Sequence, residues 1–512
     1  MSDTTCVTEP EPTVAPTPRN ATEPAASADG PADVAADTEV NVNLVMRILV
    51  LSTFVVILNE TIMINAIPRL MREFAVPATS AQWLSTAFML TMAVVIPATG
   101  WFLQRVPTRT AYALAMGLFL TGTAIATLAP TFSVLLVARV IQASGTAVMM
   151  PLLMTTMMTL VPPKDRGKMM GNVTLVISVA PALGPAVSGV LLQLGSWRLI
   201  FAVVLPIAGV VGLLGLRELV NIGEPRATRI DLPSVVLSAV GFGALVYGLS
   251  GLGDGGRASH TVPPAVVTAI GVLALVAFVR RQITLQRGAG PLLDLRTLTF
   301  APFAIALGLM CLAFMAMMGA MILLPLYLQD VLHLSTLTTG LLLMPGGLVM
   351  GLLGPLVGRA YDKVGATKLV VPGAVIMAVT LALFTRVGQD TSPWLLLVNH
   401  VFLMASLGLI FTPVFTSGLS VLPPHLYAHG SAVLGSLQQV AAAAGTAIVV
   451  SVMAGRAASA AADGATQLGA LSTGVRWGFG VGAVIALAVV AVSFAVRTPA
   501  LPSHEDAPAG QH

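Results

Sequence analysis

Apolar runs of about twenty residues recur from residue 46 to residue 497, and that is the length that carries an α-helix across a bilayer. Lipid offers backbone amides no hydrogen-bond partner, so a chain built this way crosses as helices that satisfy their own N–H and C=O groups. A membrane β-barrel needs alternating segments of about ten residues, and the runs do not alternate. Composition agrees: 56% of the 512 residues are hydrophobic and 9% are charged, against roughly a quarter charged in a soluble domain. The expected spans lie near 46–67, 82–103, 110–129, 132–158, 169–194, 197–219, 232–251, 263–281, 301–327, 337–358, 369–388, 394–421, 430–454 and 475–497, about fourteen in all.

Charge fixes their orientation. All four lysines (Lys164, Lys168, Lys363, Lys368) fall in alternate loops of one parity, together with Arg105, Arg109, Arg166, Arg226, Arg229, Arg280, Arg281, Arg287, Arg296 and Arg359. The opposite loops hold scattered arginines such as Arg69, Arg72, Arg257 and Arg456. Basic loops stay cytoplasmic, and an even number of spans puts both termini there. Residues 1–44 are rich in Pro, Ala, Thr, Glu and Asp, the composition of a disordered acidic tail. They lack the basic start and apolar centre of a secretory signal, so they are expected to remain uncleaved in the cytosol, like a second tail over 499–512.

The chain repeats itself. Gly100-x-x-x-Gln104-Arg105-x-Pro107 closes the second span, and Gly358-x-x-x-Asp362-Lys363-x-Gly365 closes the tenth at the same spacing. Pro151 and Pro162-Pro163 correspond to Pro413 and Pro423-Pro424, and Arg139 to His400. The expected organisation is two six-helix halves, 45–220 and 301–498, with two additional helices in 221–300. Duplicated halves rocking about a central site are a common transporter design.

Several motifs in order carry a resemblance to a known family. LNETIMINAIP (58–68) is similar to the first-span signature of the fourteen-span drug:proton antiporters of the major facilitator superfamily, the QacA/EmrB type. GWFLQRVPTR (100–109) resembles the superfamily's cytoplasmic loop motif, ARVIQASGTAVMMP (138–151) its fourth-span motif, and APALGPAVSG (180–189) its fifth-span antiporter motif. SWRLIFAVVLP (196–206) fits the entry into span six. The acid that the family usually carries at Asn59 is here the next residue, Glu60, and the loop motif has Gln104 and Pro107 where Asp and Gly are usual. The LNET form, Gln104, His400 and LPPHLYAHGSA (422–432) look more like the lincomycin-efflux branch. The resemblance implies an all-α major facilitator fold in a bacterial cytoplasmic membrane. It also implies a monomeric antiporter, driven by the proton gradient without a cofactor, that exports small amphipathic drugs. A dedicated exporter of one endogenous metabolite is the alternative.

Glu60 is the acidic residue placed within a span. An ionised carboxylate at mid-membrane costs about 2.5–3.5 kcal/mol on insertion scales, so such residues tend to line cavities. Burial favours the neutral form of a carboxylic acid and can bring its titration near neutrality. One proton crossing about 100 mV releases roughly 2.3 kcal/mol, enough to drive export. The alternative is a structural glutamate bonded to a neighbouring helix. Arg139 cannot itself carry the proton; it can partner Glu60, or be a static clamp. Asn59, Gln142, His400, Met149 and Met150 are candidates for the substrate cavity, with Gln142 one turn beyond Arg139 and methionine suited to varied apolar cargo. His400 is equally an ordinary hydrogen-bonded histidine, and most methionines equally lipid-facing filler.

Gly100, Arg105, Arg109, Gly358, Asp362 and Lys363 are expected to form the cytoplasmic gate, with Asp362 in a charge network with Arg359 and Lys363. Arg105 and Arg109, without that acid in the first copy, are expected at helix C-termini. Gly184, Pro185 and Gly189 are expected to kink and closely pack the fifth span. A net charge of +4 requires no nucleic-acid partner, and Cys6 and Cys311 suggest neither a disulfide nor a metal site.

Overall fold

The computed structural model describes residues 41–221, 230–253, 262–287 and 290–496. Nearly all of the 1–44 tail and the whole of 499–512 lie outside these residues. The apolar runs become α1 (Val42–Ile62), α3 (Ala78–Arg105), α4 (Thr108–Leu128), α5 (Phe132–Leu160), α6 (Arg166–Leu194), α7 (Arg198–Glu218) and α8 (Leu232–Gly253). They continue as α9 (Pro264–Leu285), α10 (Ala301–Leu326), α11 (Thr336–Val364), α12 (Thr367–Phe384), α13 (Pro393–Ser420), α14 (Tyr427–Ala462) and α15 (Gln467–Ser493). These are the 14 helices among the described residues long and apolar enough to span; α2 (Ile67–Glu73) is too short.

Two spans differ from the expectation for identifiable reasons. The first ends at Ile62, passes through a tight 3-10 turn at Met63–Ala66 and resumes as α2, where Pro68 lacks the N–H needed to continue the first helix. The thirteenth runs on to Ala462 through Arg456-Ala-Ala-Ser-Ala-Ala-Ala, a segment too weakly apolar to read as a span but high in helix propensity. Capping side chains start several helices: Asn41, Thr131, Ser335 and Thr466 accept from N–H groups of α1, α5, α11 and α15.

Helix packing follows the repeat. In the first six spans α1 packs on α5, α6 and α7, while α3 packs on α5 and α4 on both α5 and α7. In the last six the corresponding helices pack alike: α10 on α13, α14 and α15, α11 on α13, and α12 on α13 and α15. The apolar core accordingly forms two clusters. One is built mainly from α1–α7 with parts of α8, α9, α10, α13 and α14, the other from α10–α15. The two sixes meet along α3–α14 and α6–α11. The additional pair α8 and α9 pack on each other, and α8 leans on α3 and α14. Large apolar side chains such as Leu273, Leu352, Trp394 and Val484 are exposed at the outer surface, where lipid covers them.

Candidate functional site

Between the two sixes lies a cavity of about 280 Å³. Its wall takes Thr53, Val56, Ile57 and Glu60 from α1, and Met89, Met92 and Ile96 from α3. From α5 come Thr146, Met149, Met150 and Met154, and from α10 Phe314 and Met318. Phe415 of α13 joins Ser431, Leu434, Gln438 and Gln439 of α14 to close it. Phe314 stacks on Phe411 with ring centroids 5.1 Å apart, stiffening one side of a wall rich in flexible thioethers.

Of the candidates named from sequence, Glu60, Met149 and Met150 line this cavity, whereas Asn59, Gln142 and His400 do not. Successive helical residues point about 100° apart, so with Glu60 on the wall Asn59 turns into the packing. It is fully buried, and neither atom of its amide has a hydrogen-bond partner. Gln142 faces α4 instead, donating from Nε2 to Thr123 Oγ1 at 2.8 Å. His400 is buried on α13, with its ring held against Gly346 of α11; a methyl group there would lie 2.5 Å from Cδ2.

Arg139 stands behind the wall, 1% exposed. Its Nη1 donates to Gln142 Oε1 at 2.7 Å and its Nε to the Leu84 carbonyl at 3.4 Å. The guanidinium lies 4.1 Å from the centre of the Phe88 ring, a favourable place for a desolvated cation. Among the described residues no ion pair joins it to Glu60; the ion pairs lie elsewhere. The bonds that hold the guanidinium come from α3 and from Gln142 on its own helix.

At the ends of the helices carrying the basic loops, the two sixes are in close contact. The Asp362 carboxylate accepts from the Gly167 N–H at 2.9 Å and the Lys168 N–H at 2.8 Å. It thereby caps the first turn of α6, where unpaired donors and the helix dipole favour an anion. Lys363 and Arg359 are exposed and its bonds go to neither, because the helix terminus of the opposite six is the nearer donor. Gly358 lets this happen: a methyl group there would lie 2.1 Å from the Gly167 carbonyl oxygen. One turn further, Gly354 meets Gly171 as closely.

The first copy of the loop motif makes the equivalent contact with different chemistry. Gln104 Nε2 donates to the His425 carbonyl at 2.5 Å, just before α14, and Gly100 lies against His429 of α14. An amide can replace the usual carboxylate because a donor now meets a carbonyl. Arg105 is the last residue of α3, at that helix's C-terminus, with its guanidinium over the Trp101 ring at 5.7 Å, whereas Arg109 lies in the first turn of α4, where its N–H donates to Asn221 Oδ1 at 3.2 Å. On α6, Gly184 lies against Thr61 of α1, where a methyl group would come within 2.5 Å of Oγ1. Gly189 has open space in front of it and contributes no close contact. The side chain of Pro185 lies outside those described.

Sequence reasoning attended to charged residues within spans and so passed over Thr53, Phe314, Phe415, Ser431, Gln438 and Gln439. The adjacent glutamines were the available signal, being polar side chains in the middle of an apolar helix.

Residues 49–446 match the family model of the Major Facilitator Superfamily. An MFS-type transporter of Bacillus subtilis, YcnB, is 40% identical over 91% of this chain and 97% of its own length. The lincomycin resistance protein LmrB of Listeria monocytogenes is 36% identical over 87% and 94%. The multidrug resistance protein Stp of Mycobacterium tuberculosis is 28% identical over 79% and 74%. Among solved structures, the human organic anion transporter MFSD10 superposes with a TM-score of 0.63 at 14% identity, over 88% of this chain and 99% of that one. The proton:xylose symporter XylE superposes with a TM-score of 0.57 at 17% identity, over 88% and 96%; at such identities the likeness is one of fold. With fourteen spanning-length helices among its described residues, its repeated packing and these relatives, the chain belongs to the major facilitator superfamily of membrane transporters, in the branch whose members include proteins named for lincomycin and multidrug resistance.

Proposed function

We propose that the chain is a proton-coupled antiporter that exports amphipathic drugs or antibiotics across the bacterial cytoplasmic membrane by alternating access. The observation that carries the reading is Glu60: a carboxylate on the wall of a methionine-rich cavity, in the field of a buried arginine. A proton arriving at Glu60 cancels the attraction to Arg139. A cargo that occupies the cavity competes for the same carboxylate, so proton and cargo exclude one another and their fluxes run in opposite directions. The gradient supplies the energy and no cofactor is required.

Both termini and the basic loops are cytoplasmic in this reading. Asp362 of α11 against α6, and Gln104 against the approach to α14, then close the inner face, and the units 45–220 and 301–498 rock about the cavity as a monomer while 221–300 rides on α3 and α14. Arg139, with Gln142 beneath it, positions the charge opposite Glu60; Met149 and Met150 receive cargo.

Efflux of ethidium and lincomycin from a pump-deficient bacterium, with and without a protonophore, tests this. Wild type should extrude both, the protonophore should stop it, and Glu60→Gln at normal membrane abundance should lower efflux at least tenfold. Efflux by Glu60→Gln equal to wild type overturns the coupling role, and efflux insensitive to the protonophore overturns proton coupling.

A further inference from the structure

Gln438 presents a chemical feature that the transport reading does not use. On α14 the residues Leu434, Gly435, Gln438 and Ala442 form one helical face, and all four line the cavity. Gln438 reaches the wall, and its Nε2 is buried with no hydrogen-bond partner. The hydroxyls on the same wall are already satisfied by their own helices. Thr53 donates to the Leu49 carbonyl at 2.8 Å, Thr146 to Gln142 at 3.0 Å and Ser431 to Ala428 at 3.0 Å. A buried amide donor left unpaired is unfavourable until an acceptor reaches it. Most of the remaining wall is carbon and sulfur.

We propose that Gln438 is a specificity-determining residue of the cavity: its side-chain amide donates to an acceptor oxygen of the cargo, a carbonyl, ether or hydroxyl carried on a largely apolar frame. The assignment rests on the cavity being the cargo site. Selectivity follows from the chemistry of the wall. Thioether and aromatic surfaces accept many apolar shapes with similar affinity, whereas a site with a buried donor penalises the analogue that leaves that donor unpaired. The donor sits on α14 and Glu60 on α1, so a cargo held by Gln438 touches both sixes and is sensed by their relative movement.

Calorimetric titration of the purified full-length protein with two probes tests the assignment. Lincomycin is rich in acceptor oxygens; tetraphenylphosphonium is a hydrocarbon cation with none. Gln438→Leu removes the donor, and the isosteric Gln438→Glu replaces it with a group that accepts when ionised. Both variants should bind lincomycin at least tenfold more weakly, while tetraphenylphosphonium changes less than twofold in the uncharged Gln438→Leu. The assignment is overturned if Gln438→Leu binds lincomycin as wild type does, if both probes weaken alike, or if wild type does not bind lincomycin. A wild type that binds lincomycin but fails to move it in proteoliposomes under a proton gradient overturns the antiport reading and leaves this one standing.

Discussion

Arg139 shows how much one buried side chain demands of its surroundings. A guanidinium in the bundle interior persists only if its donors are met. Here Gln142 and the Leu84 carbonyl meet them while Phe88 covers the charge. Lysine keeps the charge but presents no planar fork, so Arg139→Lys should leave Gln142 Oε1 or the Leu84 carbonyl unpaired. We expect at least a tenfold loss of efflux with normal membrane insertion, measured beside Gln142→Leu, which should reproduce part of the loss by removing the acceptor. Sequence alone marked Arg139 and Glu60 as the charged residues to examine, since ionisable groups in spans are rare. It could not reveal that no ion pair joins them, because the separation depends on how α1 and α5 rotate against each other.

Close approach, rather than charge, is the decisive property of α6 and α11. With carbonyls facing glycines at Gly167–Gly358 and Gly171–Gly354, no side chain separates the two backbones. Overpacking typically costs about 1–3 kcal/mol, and Gly358→Val must displace backbone rather than a flexible side-chain tip. We expect a lower melting temperature in detergent and loss of the Asp362 cap, visible as faster hydrogen exchange at the Gly167 and Lys168 amides. Asp362→Asn should expose the same amides to exchange while leaving the helix packing intact. The α8–α9 pair is pinned differently, by Arg281 gripping Asp231 through two bonds of 2.6 and 2.7 Å. The Arg281 guanidinium, reinforced by Ser234 against the opposing effect of burial, holds the Asp231 carboxyl well below the usual carboxylate range. A carboxyl depressed in the folded state stabilises fully above its unfolded pKa of about 3.9 and loses that contribution as the pH falls through the folded value. Melting temperature should therefore gain an acid-dependent drop below about pH 4 that Asp231→Asn lacks.

For the molecule as a whole, the proposed alternating-access cycle requires that the contacts of Asp362 with α6 and of Gln104 with His425 break together when the inner face opens. Joining the second pair covalently should therefore arrest transport. In a background without Cys6 and Cys311, Gln104→Cys with His425→Cys should lose efflux on oxidation and regain it on reduction, and either single variant should respond to neither treatment. The class of the protein, its fourteen spans and its internal repeat were fixed by apolar run length and motif spacing, because a helix in lipid must satisfy its own backbone wherever its neighbours stand. Local propensity likewise determined that the chain breaks near Pro68. Which face each helix turns to its neighbours depends on packing between residues hundreds of positions apart. Only the tertiary structure decided that Asn59, Gln142 and His400 lie in the packing while Gln438 faces the cavity. It likewise decided that Asp362 caps a helix instead of pairing with its lysine neighbour, because the nearest unsatisfied donors were brought to it by the opposite half of the chain.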